Sequence, residues 1–254
     1  MIHPTAIIES SAYIDDTAEV GPYCIIGKNA KIKKGTRLFA HVNVGDNTEI
    51  GESCTVHPFA SLGGPPQDIS YRNEETLCTI GDNNVIREYV TISRGTRSSG
   101  ATIVGNSNFI MASSHIAHDC RVGNNIIMAN GATLAGHVHV ADRAILSGLC
   151  AVHQFCSIGT FAFVSGLTGV PKDIPPFVMA AGNRARLYGL NIVGLERNGF
   201  SKEEIAKLKK AYRILFRSAL SLQVSLKMVE EELDGDNVAE LLRFIRSSER
   251  GICR

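Results

Sequence analysis

Five of the eight histidines fall between residues 115 and 153: His115, His118, His137, His139 and His153. The densest stretch is Ser114-His115-Ile116-Ala117-His118-Asp119-Cys120. A neutral imidazole can take a proton from a hydroxyl near neutral pH. A neighbouring carboxylate can orient the ring and stabilise its charged form. His118 beside Asp119 is therefore a candidate general base with its partner. His139 reads as an ordinary surface residue. Clustered histidines can also hold zinc, so metal binding stands as the alternative to proton transfer.

A repeat positions these residues. Steps of six from Ile2 meet an aliphatic residue or Met at 26 of the 29 positions up to Val170, and only Asp68, Glu74 and Ser98 break the series. Four residues after most of these positions stands a small or β-branched residue, such as Ala6, Ala12, Ala18, Cys24, Ala30 and Thr36. A period of six fits neither an amphipathic helix nor one alternating strand. It fits a parallel β-helix, in which large and small inward residues alternate to fill a narrow tube. Three hexads make a coil, so residues 18 apart stack at about 4.8 Å. Ile116 and Cys120 take inward registers, which leaves His118 and Asp119 at the corner between them, facing out. Stacking sets Gly136 over His118, His137 over Asp119 and Gln154 over Gly136. The bare backbone N–H of Gly136 can then receive the oxyanion of a tetrahedral intermediate. A hydroxyl attacking a thioester directly needs no Ser or Cys nucleophile, no metal and no cofactor. The breaks in phase mark loops, about 63–79 and 95–103, and long loops on a rigid solenoid are more often functional than decorative.

The bulk properties exclude other classes. Net charge is +1, so nothing global suggests nucleic acid or a membrane surface. No apolar run reaches the ~20 residues of a membrane span and no leader-like segment is present, so a cytoplasmic protein is expected. Trp is absent and aromatics are 6% of the chain, so aliphatic residues must build the core. Six of the seven cysteines (Cys24, Cys54, Cys78, Cys120, Cys150 and Cys156) fall in the small inward register and read as fillers. Cys253 lies outside the repeat.

The repeat ends at Pro171, and Pro175-Pro176 closes it. The domains expected are a β-helix over 1–186 and a helical part over 187–254. Ser201-Lys202-Glu203-Glu204 is a capping box opening a helix to about Arg217. A second helix is expected over 221–233 and a third from near Val238. Lys207, Lys209, Lys210, Arg213 and Arg217 form a basic run, either a solvated face or a dock for an acidic carrier protein.

Several strings carry a family resemblance: His-Ile-Ala-His-Asp-Cys (115–120), Ala-Gly-His-Val (135–138), Ala-Val-His-Gln-Phe-Cys (151–156), Gly-Leu-Asn-Ile (189–192) and Ser-Glu-Arg-Gly (248–251). They closely resemble the UDP-N-acetylglucosamine acyltransferase family of lipid A biosynthesis, within the hexapeptide acyltransferase superfamily. The resemblance implies a left-handed β-helix and a homotrimer with its active site between subunits. It implies transfer of an (R)-3-hydroxyacyl chain from acyl carrier protein to the 3-hydroxyl of a UDP-sugar. It further implies His118 as base, Asp119 as its partner and the Gly136 N–H as oxyanion donor. His115, His137, His153 and Gln154 would touch substrate, Asn191 and Arg197 would hold the nucleotide, and Gln67 and Asp68 would lie near the sugar. Gly166 and Arg184 would limit acyl length. Departures stand at Ser70 (Lys in well-known members), Ser93 (His), Val193 (Glu) and Asn198 (the second Arg of a pair). They leave open a 3-amino sugar acceptor, which would give an amide. The other alternative is a zinc-dependent gamma-type carbonic anhydrase on the same fold. There, paired ligands are separated by four residues, whereas this chain has His-x-x-His followed by Asp.

Overall fold

The computed structural model describes residues 1–254. Its strands are mostly two residues long and form three sheets of nine, eight and ten strands, the walls of a triangular prism. In each hexad the strand's first residue faces outward and the aliphatic second residue faces inward. Ile25–Ile26 and Lys31–Ile32 show this pattern of one exposed and one buried residue. Three residues after the aliphatic position, the corner takes a left-handed conformation, as at Asn29, Asn47, Asp119 and Asn125. The small residue that follows then turns back inside.

Parallel pairing stacks Ile26 on Val44, Val44 on Leu62 and Ile116 on Leu134. Most partners are 18 residues apart, but Leu62 pairs with Ile92 and Ile92 with Ile116. The two loops thus add 12 and 6 residues, which preserves the inward phase. The core is one cluster of 58 buried residues. It includes all seven cysteines, which are free and buried, and burial pushes the Cys78 and Cys120 thiols up to about 12. The first coil is looser: Ala6, Ile8, Ala12 and Ile14 are only partly buried.

The helical part begins later than the sequence pattern suggests. Arg186–Leu190 is a strand, antiparallel to Val178–Ala181. Its residues alternate between exposed and buried on the sheet edge, and Gly189 disfavours a helix there. Four helices follow: α1 (Ile192–Arg197), α2 (Lys202–Arg217), α3 (Leu222–Glu232) and α4 (Asp236–Ser247). The capping box at Ser201 and Glu204 is formed. No helix is long and apolar enough to cross a membrane. The C-terminal tail returns to the end of the prism. The Asp173 N–H donates to the Gly251 carbonyl, the Cys253 N–H donates to the Asp173 carbonyl, and the Ser248 hydroxyl donates to the Asp173 carboxylate.

Candidate active site

One prism edge, between the first and second sheets, collects most of the expected residues. Both loops leave from it. The first connects strands Ser61–Gly64 and Leu77–Ile80, and the second connects Thr91–Ser93 and Ala101–Val104. Farther along the same edge come His118 with Asp119, then Gly136 with His137, then His153 with Gln154 and Phe155. The loops hold each other: the Arg94 guanidinium donates to the Tyr71 hydroxyl at 2.7 and 3.1 Å, and the Thr76 hydroxyl donates to the Gly95 carbonyl.

Asp119 does not face solvent as its corner position suggests. It is buried, because the second loop folds over it. Its carboxylate accepts from the Thr96 N–H (2.9 Å), the Thr96 hydroxyl (2.7 Å), the Ser99 hydroxyl (2.5 Å) and His118 Nδ1 (2.7 Å). Burial alone would raise its pKa. The bonds from Ser99, His118 and Thr96 outweigh that and hold it at about 2. An ionised carboxylate only accepts, so His118 Nδ1 carries the proton and Nε2 presents a bare lone pair. That is the tautomer a general base requires.

Gly136 provides the space for this ring. A Cβ added there would lie 2.6 Å from His118 Cε1 and 2.8 Å from Nε2. The Gly136 N–H has no acceptor in the chain. His137 stacks on Phe155 at 4.5 Å, and its Nε2 lies 3.4 Å from Asp119. His115 Nδ1 meets the Thr91 hydroxyl at 2.7 Å. Burial, then the neighbouring His118, lowers the His115 pKa, so this ring is neutral at pH 7.

A cleft of about 390 Å³ opens between the loops, lined by Asp68, Tyr71, Arg72, Thr96, Arg97 and His137 among others. Asp68 accepts from the Ser70 N–H and hydroxyl, each at 2.8 Å, and the same bonds lower its pKa. Ser70 is thus tied to Asp68. Gln67 is exposed on the same loop. Donor atoms of His118, Asp119 and His137 lie within 4.8 Å of one another, a possible metal triad. A cation there would compete for lone pairs that Thr96, Ser99 and His118 already engage, and His115 does not join the set. The donor chemistry therefore favours the proton-transfer pair over zinc.

Other expected residues stand elsewhere. Asn191 is buried as the N-cap of α1: its Oδ1 accepts from the Gly194 N–H and its Nδ2 donates to the Phe161 carbonyl. Arg197 is exposed and unpaired at the end of α1. Arg143 donates to Asn198 at 2.8 Å and lies over the Phe161 ring. This group sits on the edge between the second and third sheets. Gly166 lies on the remaining edge, between the third and first sheets. Arg184 is exposed in the turn whose Asn183 bridges to Gly169. The basic run on α2 is largely engaged. Lys207 pairs with Asp234 and Glu203, Lys210 pairs with Glu232, and Arg217 donates to the Leu187 carbonyl. Lys209 and Arg213 remain free.

Comparison with known proteins shows the family. A family model described as UDP N-acetylglucosamine O-acyltransferase, domain 2, matches residues 173–253, and a bacterial transferase hexapeptide model matches 101–136. An acyl-[acyl-carrier-protein]–UDP-N-acetylglucosamine O-acyltransferase of Thermodesulfovibrio yellowstonii is 56% identical over 255 residues, covering 100% of this chain and 99% of its own. The chain belongs to the UDP-N-acetylglucosamine acyltransferase family. A relative of the same name from Janthinobacterium is 49% identical over 260 residues, covering 100% of this chain and 99% of its own. The solved LpxA structure from Acinetobacter baumannii is 42% identical and superposes with a TM-score of 0.97, covering 100% of this chain and 99% of that one. As a member of this family the chain is a left-handed parallel β-helix with a small helical C-terminal part.

Two features of the site had no local sequence signature. Thr96 and Ser99 reach Asp119 from 23 and 20 residues away, across a loop whose path the repeat does not specify. Arg250, from the tail, touches His153 on the site edge. For this family member, the one clue to the tail is the string Ser-Glu-Arg-Gly.

Proposed function

We propose that this chain moves an (R)-3-hydroxyacyl group from acyl carrier protein to the 3-hydroxyl of UDP-N-acetylglucosamine, the first step of lipid A biosynthesis. The observation that carries this reading is the bare Nε2 of His118, aimed away from a buried Asp119 and seated over Gly136. The sugar hydroxyl attacks the thioester carbonyl while His118 Nε2 takes its proton. The carbonyl oxygen becomes an oxyanion, received by the Gly136 N–H. The intermediate collapses, the C–S bond breaks, and His118 returns the proton to the departing thiolate. Asp119 stays ionised and stabilises the imidazolium between the two transfers. His115, His137, His153 and Gln154 contact the bound substrates, as do Gln67 and Asp68 at the sugar. Asn191 and Arg197 serve the nucleotide.

This reading requires a homotrimer. The base, the nucleotide group and the acyl-length group at Gly166 stand on three different edges of one convex prism. Only neighbouring copies related by a closed rotation can bring such groups into one cleft. The edge bearing Gly166 also exposes a ladder of large side chains: Tyr23, Phe59, Tyr89, Leu149 and Leu167 are 48–71% exposed. His41 stacks between Tyr23 and Phe59 at 5.0 and 4.9 Å. A row of this kind suits burial against another subunit.

The test is a transfer assay with UDP-N-acetylglucosamine, its 3-amino analogue and a series of acyl carrier protein thioesters. His118→Ala is expected to lower kcat by roughly 10²-fold or more with a smaller change in KM. Near wild-type turnover in that variant would remove the base assignment. A species of 27.4 kDa, a single chain, in sedimentation would remove the shared site.

A further inference from the structure

The C-terminal tail reaches the site edge at one point, and the contact there has a definite sense. Arg250 Nη2 lies 3.2 Å from His153 Nδ1 and 3.3 Å from the Pro171 carbonyl. A guanidinium is always charged and only donates. Its terminal nitrogen carries two hydrogens, which suffice for both partners. His153 Nδ1 must therefore accept, and a nitrogen that accepts carries no proton. The competing contact, from Nδ1 to the Gln154 carbonyl at 3.2 Å, would require the opposite tautomer. A charge-assisted bond from arginine is stronger than that neutral one, so the bare Nδ1 prevails.

The position of Arg250 is fixed from both sides. Ser248 bonds the buried Asp173 carboxylate two residues before it, and Gly251 accepts from the Asp173 N–H directly after it. Cys253 then pairs with the Asp173 carbonyl. Neither Arg250 nor its neighbour Lys172 has a carboxylate partner within ion-pair distance. We infer that Arg250 is a positioning residue that locks His153 in its Nε2–H tautomer, so that this ring offers a hydrogen-bond donor to an acceptor oxygen of a bound substrate. That oxygen is a carbonyl of the thioester donor's arm or a phosphoryl oxygen of the nucleotide sugar. This rests on the proposed acyl transfer for its substrates, but the tautomer stands apart from it.

The test has a spectroscopic arm and a kinetic arm. In the full-length protein, selectively ¹⁵N-labelled at histidine and assigned with His153→Ala, the His153 ring is expected to show an unprotonated Nδ1 and a protonated Nε2. Arg250→Gln is expected to give mixed tautomers, with Arg250→Lys restoring much of the native signature. A protonated Nδ1 in the wild type overturns the inference. Kinetically, Arg250→Gln and His153→Ala are each expected to raise KM for one of the two substrates by roughly threefold to tenfold, the net worth of one hydrogen bond, with kcat nearly unchanged. The substrate whose KM moves identifies the oxygen. In the double variant the effects are expected not to add. Fully additive effects would mean that Arg250 binds substrate itself, and unchanged KM in Arg250→Gln would mean that it positions nothing; either result overturns the inference. If the wild type transfers no acyl chain, the proposed function fails, and the ¹⁵N signature alone still decides for or against Arg250.

Discussion

Replacing Gly136 by alanine tests the site at its tightest point. The new Cβ would stand 2.6 Å from His118 Cε1, against about 3.4 Å for an ordinary contact. The ring must therefore move about 0.8 Å, since the corner backbone is stacked between coils. Its Nδ1 bond to Asp119, now 2.7 Å, would stretch towards the limit of a hydrogen bond. The lone pair on Nε2 would leave the line of the attacking hydroxyl. A misplacement on the order of 1 Å costs about 10²-fold in rate, so Gly136→Ala should lower kcat by about that factor. Stability should change little, because the clash falls on a side chain outside the tube. Steady-state transfer kinetics alongside a thermal melt would separate the two effects. Wild-type kcat with an unchanged melting temperature would show that His118 does not depend on this seat, and would refute the reasoning.

Further outcomes are expected elsewhere. Asp119 is held at about 2, so its carboxylate is charged and its contribution to stability complete well above that value, and both are lost as pH falls towards 2. Thr96→Val removes a hydroxyl donor, so the Asp119 pKa, followed by ¹³C NMR of its carboxyl carbon, should move up by about one unit, given ~1.5 kcal/mol for a hydrogen bond to a charged group. An unmoved titration would show that Thr96 does not tune this carboxylate. Asn191→Ala should lower the melting temperature by a few degrees, since losing a helix cap costs about 1 kcal/mol; a pure nucleotide ligand would instead change KM alone. Gly166→Met should disfavour the longest accepted acyl chain, at about fourfold per excluded methylene, and an unchanged chain-length profile in both Gly166→Met and Arg184→Ala would remove this ruler.

The fold was legible because the period of six is a property of single residues: each aliphatic position reports inside, and the sum over many coils is unambiguous. The site was partly legible for the same reason. Stacking by 18 brings His118, Gly136 and His137 together from arithmetic alone. What the arithmetic misses is contact made by segments that leave the repeat. Asp119 was read as outward because its corner is outward, yet a loop of seven residues supplies three hydrogen bonds and buries it. The string around Asn191 points to the nucleotide and does not reveal that its amide also caps α1 and holds the Phe161 carbonyl. The basic run on α2 had no acid within it, but Glu232 and Asp234 reach it from α3 and the turn beyond.

The two ends of the prism are unlike, and this gives the molecule a direction. Each coil touches only its neighbours, so stability propagates along the axis as in a one-dimensional chain. The amino-terminal coil is half open, with Ile8 and Ile14 only partly buried, whereas the far end is clasped by the tail around Asp173. Thermal opening should therefore start at Ile2 and advance coil by coil, reaching the strand of His115, the sixth of nine in its sheet, only after five others have parted. Amide exchange would appear as a gradient running from the amino terminus towards the tail. The histidine edge lies well inside that gradient, shielded from fraying by the coils that precede it.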